Sequence, residues 1–372
     1  MVNYHNKQIL LMKNKLKINN VLVNGISVDI SSSKKVLSAI EKTGFSVPKL
    51  CYDERSGPRG TCRMCLVEVT NNNNKTSIVA SCTENVSDGM KISTHNNNIK
   101  QYRKDLLELI LSETDTPKNC PKCNTTKKCD LHIATEDYDA KWDFFPKLES
   151  KGKPIDNNPF INRNYDYCIS CYRCTDICND WEQASAIVPA GRGQNTSIHS
   201  FFDNQLLKSP CTFCGQCINT CPTGALVDKK LINNTDPNKL TRTKTICPYC
   251  GVGCGIQLLS EENNIKGVEP DFDSPSRGSL CVKGQFASWE FVKSEERLKY
   301  PLIKHNGVFK KTSWKKALNF VAKEFSTIKK EHGPDSLVLW SSARVVTEAN
   351  YLMQKFARVA IGTNNIDNCS RT

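Results

Sequence analysis

Alternation of apolar and polar side chains predicts a small β-rich region near the amino terminus. Asn24-Gly25 lies between two such alternating runs and is a strong signal for a two-residue hairpin turn. Residues Ser32–Gly44 have the pattern of a helix that begins at serines and ends at a glycine. Four segments are predicted as strands: Leu16–Val23, Ile26–Ile30, Cys65–Val69 and Ser77–Cys82.

Helical periodicity recurs at Ile99–Thr114 and, over a longer stretch, at Ser313–Gly333. One face of the longer helix is predicted to carry Trp314, Leu318, Val321, Phe325 and Ile328. The continuous apolar run Asp335–Ser342 and the helical pattern Ala349–Gly362 predict the opening of a parallel βαβ sheet. Because strands of such a sheet need several neighbours, we expect an incomplete domain here and a chain that continues beyond Thr372.

Composition narrows the class of protein. The chain has 372 residues, of which 38% are hydrophobic and 20 are cysteines, with a formal net charge of +13. Its first residues lack the apolar core of a signal peptide, so we expect a disordered extension, a cytoplasmic chain without a membrane span, and reduced cysteines. The lysines are scattered rather than forming a basic stripe, which argues against nucleic-acid binding. Metal binding or redox chemistry is therefore the default expectation.

Nineteen cysteines fall into five runs, and Cys369 is left over. The first run has the spacing C-x10-C-x2-C-x16-C and forms what we call the first cysteine set: Cys51, Cys62, Cys65 and Cys82. A cysteine-bearing loop between a helix and a hairpin resembles the [2Fe–2S] ferredoxin fold. A C-x2-C pair alone would fit zinc equally well, whereas four cysteines in a β-rich setting favour a [2Fe–2S] cluster.

Two runs share the spacing C-x2-C-x2-C-x3-C, the signature of bacterial two-cluster ferredoxins, in which the fourth cysteine of each run binds the other cluster. The third cysteine set, expected to hold one [4Fe–4S] cluster, is therefore Cys168, Cys171, Cys174 and Cys221. The fourth set, expected to hold another, is Cys211, Cys214, Cys217 and Cys178. A single zinc ion would not need three such closely spaced cysteines. Asn179 stands where a proline is common.

The second cysteine set follows the helix predicted at Ile99–Thr114 with the spacing C-x2-C-x5-C: Cys120, Cys123 and Cys129. It resembles the [4Fe–4S] segment of the large iron–sulfur subunit of respiratory complex I and of related dehydrogenases and hydrogenases. In that family a histidine four residues before the first cysteine is the fourth ligand, whereas this sequence has Thr116. His132 is the candidate replacement; the alternative is that it is a bystander.

The fifth cysteine set has the spacing C-x2-C-x3-C-x26-C: Cys247, Cys250, Cys254 and Cys281. Its spacer, Ile256–Pro270, is predicted as two short strands around a polar turn. Together with Lys283-Gly284, this set resembles the amino-terminal cluster domain of bis-pterin molybdenum or tungsten enzymes. The resemblance implies a [4Fe–4S] cluster and a role for Lys283 in electron passage between cluster and pterin. The alternative is a solvated surface lysine.

The order of these segments resembles the amino-terminal part of the catalytic subunit of cytoplasmic, NAD-linked formate dehydrogenases. The resemblance implies an α+β multidomain chain. A β-grasp [2Fe–2S] ferredoxin is followed by a complex-I-like [4Fe–4S] segment, a two-[4Fe–4S] ferredoxin-type domain, a molybdopterin-oxidoreductase [4Fe–4S] domain and the start of an incomplete α/β domain. The extension and the five domains are predicted at residues 1–15, 16–97, 98–150, 151–236, 240–299 and 300–372.

The same resemblance implies a function. Formate would be oxidised to carbon dioxide at a molybdenum or tungsten bis-molybdopterin guanine dinucleotide site, with one [2Fe–2S] and three or four [4Fe–4S] clusters carrying electrons to an NAD-reducing flavin/iron–sulfur subunit or a ferredoxin. In formate dehydrogenases the run NNIDNCSRT leads into the metal-ligating cysteine or selenocysteine. We therefore expect selenocysteine at position 373, with Cys369 structural or packed near the metal.

Three alternatives stay open at this point. The chain could be a stand-alone iron–sulfur electron-transfer subunit without its own catalysis, which predicts a true stop codon after Thr372. It could be a zinc-rich interaction protein, which predicts zinc without sulfide. It could also belong to a pterin oxidoreductase of another substrate, because the residues that select the substrate lie downstream of this sequence.

Overall fold

The computed structural model describes residues 20–115, 119–148, 157–200, 205–287 and 289–369. The described chain forms two compact units. One contains the residues up to 212 together with 216–239, and the other contains 213–215 together with the residues from 240 onward. The predicted extension 1–15 lies outside the described residues, as do Thr116 and residues 370–372.

The first unit begins with a mixed β-sheet. Its region contains β1 (Asn20–Val23), β2 (Ile26–Asp29), β3 (Tyr52–Asp53), β4 (Gly57–Pro58), β5 (Leu66–Thr70), β6 (Thr76–Ala80) and β7 (Lys91–Ser93). Five of these strands form a sheet in the order β2-β1-β7-β5-β6, in which only the β1–β7 pair is parallel. Asn24 and Gly25 both have positive φ angles, 49° and 87°, as the predicted hairpin turn requires.

Helix α1 (Val36–Lys42) supplies the apolar cover of this sheet. Its buried side chains belong to one core with the inward-facing residues of the strands, among them Val23, Val67 and Ile92. Each fully buried aliphatic side chain contributes about 1.5–3 kcal/mol of transfer free energy. A helix packed on a mixed sheet is the β-grasp arrangement that the sequence predicted.

Three helices connect this domain to the rest of the first unit: α2 (Asn97–Ser112), α3 (Pro121–Thr125) and α4 (Asp130–Asp137). The predicted helix Ile99–Thr114 is confirmed to within two residues at each end. It begins where it does because the Asn96 side chain accepts a hydrogen bond of 2.8 Å from the Ile99 amide. Lys122 donates to the Cys221 carbonyl, and the Leu131 amide donates to the Pro222 carbonyl, so this segment packs on the region that follows.

The remainder of the first unit consists of short elements around closely spaced cysteines. The strands are β8 (Ile161–Arg163), β9 (Ile187–Ala190), β10 (Ser197–Ser200) and β11 (Leu226–Asp228), paired as β8–β11 and β9–β10. The helices are α5 (Arg173–Asp176) and α6 (Gln216–Thr220). A π-helical turn at Ile177–Trp181 continues α5. Short 3-10 turns lie at Tyr165–Tyr167, Gly193–Asn195 and Leu206–Lys208.

The second unit opens with an antiparallel three-stranded sheet, β12 (Thr241–Ile246), β13 (Gly255–Glu261) and β14 (Asn264–Pro270), followed by α7 (Val282–Phe286) and a 3-10 turn at Glu290–Val292. The two strands predicted within Ile256–Pro270 are confirmed. The prediction omitted β12, whose residues are all exposed and mostly polar, so its sequence has no periodic apolar signal. The small core beneath this sheet is formed by Cys247, Ile256, Val268, Leu280 and Trp289.

The last part of the second unit contains β15 (Leu302–His305), β16 (Val308–Lys311), α8 (Trp314–His332), β17 (Leu339–Trp340), α9 (Thr347–Lys355) and β18 (Ile366–Asp367). The predicted strand Asp335–Ser342 is wrong in length, because Pro334–Ser336 forms a 3-10 turn and only two residues pair, in parallel, with β18. The predicted helix Ala349–Gly362 is confirmed by α9, which continues as a π-helix at Phe356–Ile361.

Most of the apolar face predicted for α8 is exposed to solvent. Trp314 is 69% exposed and Leu318 is 59% exposed, whereas Phe325 and Ile328 pack against the core of Leu337, Leu339, Ala357 and Ile361. This is the expected state of a helix beside a sheet that has two strands among the described residues. In the part of the chain that the structure describes, no helix combines the length and apolarity needed to cross a membrane.

Candidate metal centres

The first cysteine set lies in the loop between α1 and β5 and at the end of β6. The Cys65 and Cys82 sulfur atoms are 3.3 Å apart, and the Cys62 amide donates to the Cys51 sulfur over 3.4 Å. The Cys62 thiol lowers the pKa of Cys51 to about 5, and the Cys82 thiol lowers that of Cys65 to about 6. The structure therefore brings the set together as two close pairs, each with one thiol disposed to ionise, and the thiolate is the metal ligand.

The second cysteine set is the most compact. The sulfur atoms of Cys120, Cys123 and Cys129 all lie within 4.8 Å of one another. The Cys120 thiol lowers the pKa of Cys123 to about 3, and the Cys129 amide donates to the Cys123 sulfur over 3.4 Å. This closeness depends on Gly224, because a Cβ atom there would lie 2.6 Å from the Cys120 sulfur.

His132 lies beside the second set, on the first turn of α4. Its Nδ1 atom is 3.4 Å from the Cys123 sulfur, and its Nε2 atom is 3.6 Å from a Glu136 carboxylate oxygen. The carboxylate can orient the imidazole, as is usual for histidines that bind metals. His132 is therefore placed where a fourth ligand is needed, and its ligation stays a prediction.

The third cysteine set combines residues from two distant runs, and the structure brings these residues together. All four cysteines line one small cavity of about 20 Å³, which is otherwise bounded mainly by apolar residues and Tyr165. Burial raises the pKa values of Cys171 and Cys174 above the ordinary range of a thiol. Four sulfur donors around one apolar cavity are the donor set of a [4Fe–4S] cluster. The crossed pairing of Cys221 with the Cys168–Cys174 run agrees with this geometry.

In the fourth set, Cys178, Cys211 and Cys217 belong to the first unit, and Cys214 belongs to the short stretch 213–215 of the second. Each of the four is partly buried. The Cys178 sulfur accepts a hydrogen bond of 3.4 Å from the Ala186 amide. Cluster binding by this set stays a prediction. Next to it, Asn179 accepts a hydrogen bond of 2.7 Å from Ser185, which holds this exposed turn.

The fifth cysteine set lines a cavity of about 280 Å³ in the second unit, and Lys283 and Arg344 line the same cavity. The Cys247 amide donates to the Cys254 carbonyl over 2.9 Å, which closes the loop between them. Burial raises the pKa of both thiols. The cysteines and Lys283 are thus brought together as predicted, and the residues present fit a cubane cluster with a cation beside it.

Arg344 is a site residue that the sequence reasoning missed. The loop that carries it rests on the fifth set, since the Gly251 amide donates to the Ala343 carbonyl over 2.8 Å. The Cys369 sulfur holds the other side of this loop by accepting a hydrogen bond of 3.4 Å from the Ala343 amide. One signal could have found Arg344: it follows a predicted parallel strand, and loops at the carboxyl ends of such strands often form binding sites.

A larger cavity of about 880 Å³ lies elsewhere in the first unit, between the β-sheet domain and helices α2 and α4. It is beside Leu50 and Tyr52, which flank Cys51, but no cysteine is among the described residues that line it. The size of a cavity is therefore a poor guide to the chemistry of this chain. The converging sulfur atoms are a better guide, because thiolates are soft donors that favour zinc, copper(I) or iron–sulfur clusters.

Comparison with protein families agrees with the assignment of the cysteine sets to iron–sulfur domains. Family models match in four places: a 2Fe-2S iron-sulfur cluster binding domain at 19–97, the ferredoxin-like domain of NADH-quinone oxidoreductase subunit 3 at 158–227, the molybdopterin oxidoreductase Fe4S4 domain at 240–293, and molybdopterin oxidoreductase at 297–372. The last two matches show that residues 240–293 and 297–372 are similar to molybdopterin oxidoreductases. The predicted resemblance to molybdopterin oxidoreductases with complex-I-like iron–sulfur domains is confirmed, and so is the predicted α+β multidomain fold class.

Curated relatives of the chain include proteins named "Putative formate dehydrogenase" from Staphylococcus aureus strains MRSA252 and USA300. Each is 32% identical over 393 residues, a match that covers 94% of this chain and 39% of the relative. The chain thus spans about two fifths of the length of these relatives. A crystal structure of an NAD+-reducing [NiFe]-hydrogenase has the same fold over 58% of this chain and 94% of its own, at 21% identity and a TM-score of 0.50. The chain is an iron–sulfur electron-transfer region.

Proposed function

We propose that the chain is the electron-transferring part of a formate dehydrogenase. The observation that carries the proposal is the convergence of the third cysteine set, from two separate runs, on one buried cavity in a chain whose relatives are named as formate dehydrogenases. When bound, iron–sulfur clusters would accept and release single electrons, which links two-electron substrate chemistry to a distant acceptor. The five cysteine sets, with His132 completing the second, would hold these clusters.

The finer parts of the proposal concern the complete protein. Formate would be oxidised to carbon dioxide at a molybdenum or tungsten bis-pterin site, and the electrons would leave to an NAD-reducing flavin/iron–sulfur subunit or a ferredoxin in the cytoplasm. The names of the relatives support the substrate, and the fold shared with an NAD+-reducing hydrogenase supports the acceptor.

The chain's own residues would set the environment of the fifth site. Lys283 and Arg344 place two cations at a cavity whose donors are four thiolates, and this compensates negative charge where water is partly excluded. Positive charge near a redox centre favours its reduced, more negative state. Both residues would therefore help electrons to enter the chain at this site.

The test uses the native protein, purified anaerobically with its bound partners. We expect formate to bleach the iron–sulfur absorbance and to support NAD+ reduction, and we expect Cys247→Ser to abolish both. Val308→Ala, at an exposed position outside the five sets, is the control and should retain both. Bleaching by another small substrate but not by formate would favour a different pterin oxidoreductase. Loaded clusters without any pterin would favour the stand-alone electron-transfer subunit.

A further inference from the structure

A buried polar network crosses the interior of the first unit and touches the backbone neighbours of several cluster ligands. Thr220 directly precedes Cys221, and Asp53 lies two residues after Cys51. The Thr220 hydroxyl donates a hydrogen bond of 2.6 Å to an Asp53 carboxylate oxygen. Thr220 is 1% exposed and Asp53 is 9% exposed. A charge-assisted bond at such burial is strong and well screened from solvent competition.

Arg55 locks Asp53 in place. Its guanidinium donates to both carboxylate oxygens, over 3.0 and 2.9 Å, and its third nitrogen donates to the Gln216 side chain over 2.5 Å. The side chains of Arg55 and Asp53 are 3% and 8% exposed. Breaking a buried pair by removing one partner typically costs about 3–5 kcal/mol. The loop of the first cysteine set is therefore tied to helix α6, which carries Cys217.

The Thr220 hydroxyl both donates and accepts a hydrogen bond. It also accepts a hydrogen bond of 3.1 Å from Nε of Arg173, the residue before Cys174. A second guanidinium nitrogen of Arg173 lies 3.2 Å from the carboxylate of Asp130, the residue after Cys129. One hydroxyl, which has one donor and two acceptor positions, thus connects the first, second and third cysteine sets.

A separate contact, nearer the protein surface, also joins the loop of the first cysteine set to the run that contains the third. Arg59, from the same loop as Arg55, forms an ion pair with Asp176 and lies 4.6 Å from the centre of the Tyr172 ring. Asp176 lies between two cluster ligands of neighbouring sets, Cys174 and Cys178. The arginine side chain is 37% exposed, so this contact is weaker than the buried one.

We propose that Thr220 is a positioning residue that holds the first and third cluster sites at a fixed separation, with Asp53 and Arg173 as its partners. The inference rests on the proposed electron-transfer function. Ordinary domain packing would need only apolar contact, whereas Thr220, Asp53 and Arg173 each lie within two positions of a predicted ligand. The network therefore acts on the backbone of the ligands themselves. A rigid separation matters because electron transfer between two centres depends steeply on their distance.

The test compares Thr220→Val with Thr220→Ser in the full chain loaded with its clusters. Valine keeps the shape and removes the hydroxyl, while serine keeps the hydroxyl. After partial reduction we expect Thr220→Val to alter the magnetic interaction between the [2Fe–2S] centre and its neighbouring cubane in the paramagnetic resonance spectrum. Electron equilibration between them should slow several-fold, because the rate of electron transfer falls steeply as two centres move apart. Iron content should stay unchanged, and Thr220→Ser should behave like the natural chain.

A second variant, Arg59→Gln, keeps the inference testable if Thr220→Val fails to fold, because Arg59 is partly exposed. It should change the same magnetic interaction in the same direction, but less. The inference is wrong if Thr220→Val retains its clusters and matches the natural chain in both readouts. If Thr220→Val cannot be loaded with clusters, the inference is wrong when Arg59→Gln leaves the magnetic interaction unchanged. Absence of any cluster signal from the natural chain would instead refute the proposed function.

Discussion

Gly224 shows how a single residue can decide whether a cluster site forms. Its neighbours leave no room for a side chain: a Cβ atom would lie 2.6 Å from the Cys120 sulfur and 2.9 Å from the Pro121 ring. Nothing in the sequence around Gly224 indicates this, because Cys120 is distant along the chain. A close approach of this kind becomes visible only when two segments are folded against each other.

Gly224→Ala should therefore displace Cys120. We expect a loss of about 1–3 kcal/mol of stability from overpacking, and about four fewer iron atoms per chain, the content of one cubane. Iron analysis and thermal unfolding measure the two effects. Lys323→Ala, at an exposed position of α8, is the control and should keep the full iron content. Equal iron content in the two variants would contradict the account of the second site.

The burial of Asp228 makes the stability of the folded chain depend on pH. Burial raises the pKa of its carboxyl to about 6, above the value of about 3.9 in an unfolded chain. The folded state therefore binds the proton more tightly, so this residue adds stability as the pH falls from about 6 toward 4 and removes it as the pH rises through 6.

Asp228→Asn should remove this dependence. The amide oxygen can still accept the hydrogen bond of 2.8 Å from the Lys230 amide, and no charge is buried. We expect the variant to be more stable than the natural chain near neutral pH, by on the order of 1–3 kcal/mol, with the gap closing toward about pH 4. Thermal unfolding midpoints from about pH 8 to about pH 5 measure the gap. A gap that widens on acidification would show that the sign is wrong.

At the scale of elements, structure that depends on local sequence signals was predicted correctly. Strands that depend on pairing with a distant strand were not. The hairpin at Asn24-Gly25 and helix α2 follow from turn chemistry and apolar periodicity, which a sequence contains in full. Strand β12 has no periodic apolar residues, and β17 is short because its pairing depends on a partner from residue 366 onward. The cysteine spacing predicted the crossed third set, whereas Arg344 reaches the fifth only through tertiary contacts.

Helix α2 allows a direct test of one such local signal. The Asn96 side chain caps the helix by accepting from the Ile99 amide, so Asn96→Ala should lower the free energy of unfolding by about 1 kcal/mol. Asn97→Ala, at the exposed next residue, is the control and should have a much smaller effect. Thermal unfolding of both variants measures the difference. Equal destabilisation would mean that the cap does not determine where the helix begins.

At the scale of the whole molecule, the cysteines account for features that composition alone leaves unexplained. A net charge of +13 suits a chain that binds several anionic clusters, because each thiolate-ligated cluster carries about two negative charges. The small apolar cores also fit this account, since metal centres can supply folding free energy that a core does not. The described chain contains nineteen cysteines in the five sets, so its stability should depend on iron loading.

The most direct test of this account is the metal and sulfide content of the anaerobically purified chain, measured together with its paramagnetic resonance spectrum after reduction. The account predicts about 14–18 iron atoms per chain with a matching amount of acid-labile sulfide, from one [2Fe–2S] and three or four [4Fe–4S] clusters. It also predicts signals from both cluster types. Stoichiometric zinc without sulfide, and no signal on reduction, would contradict it.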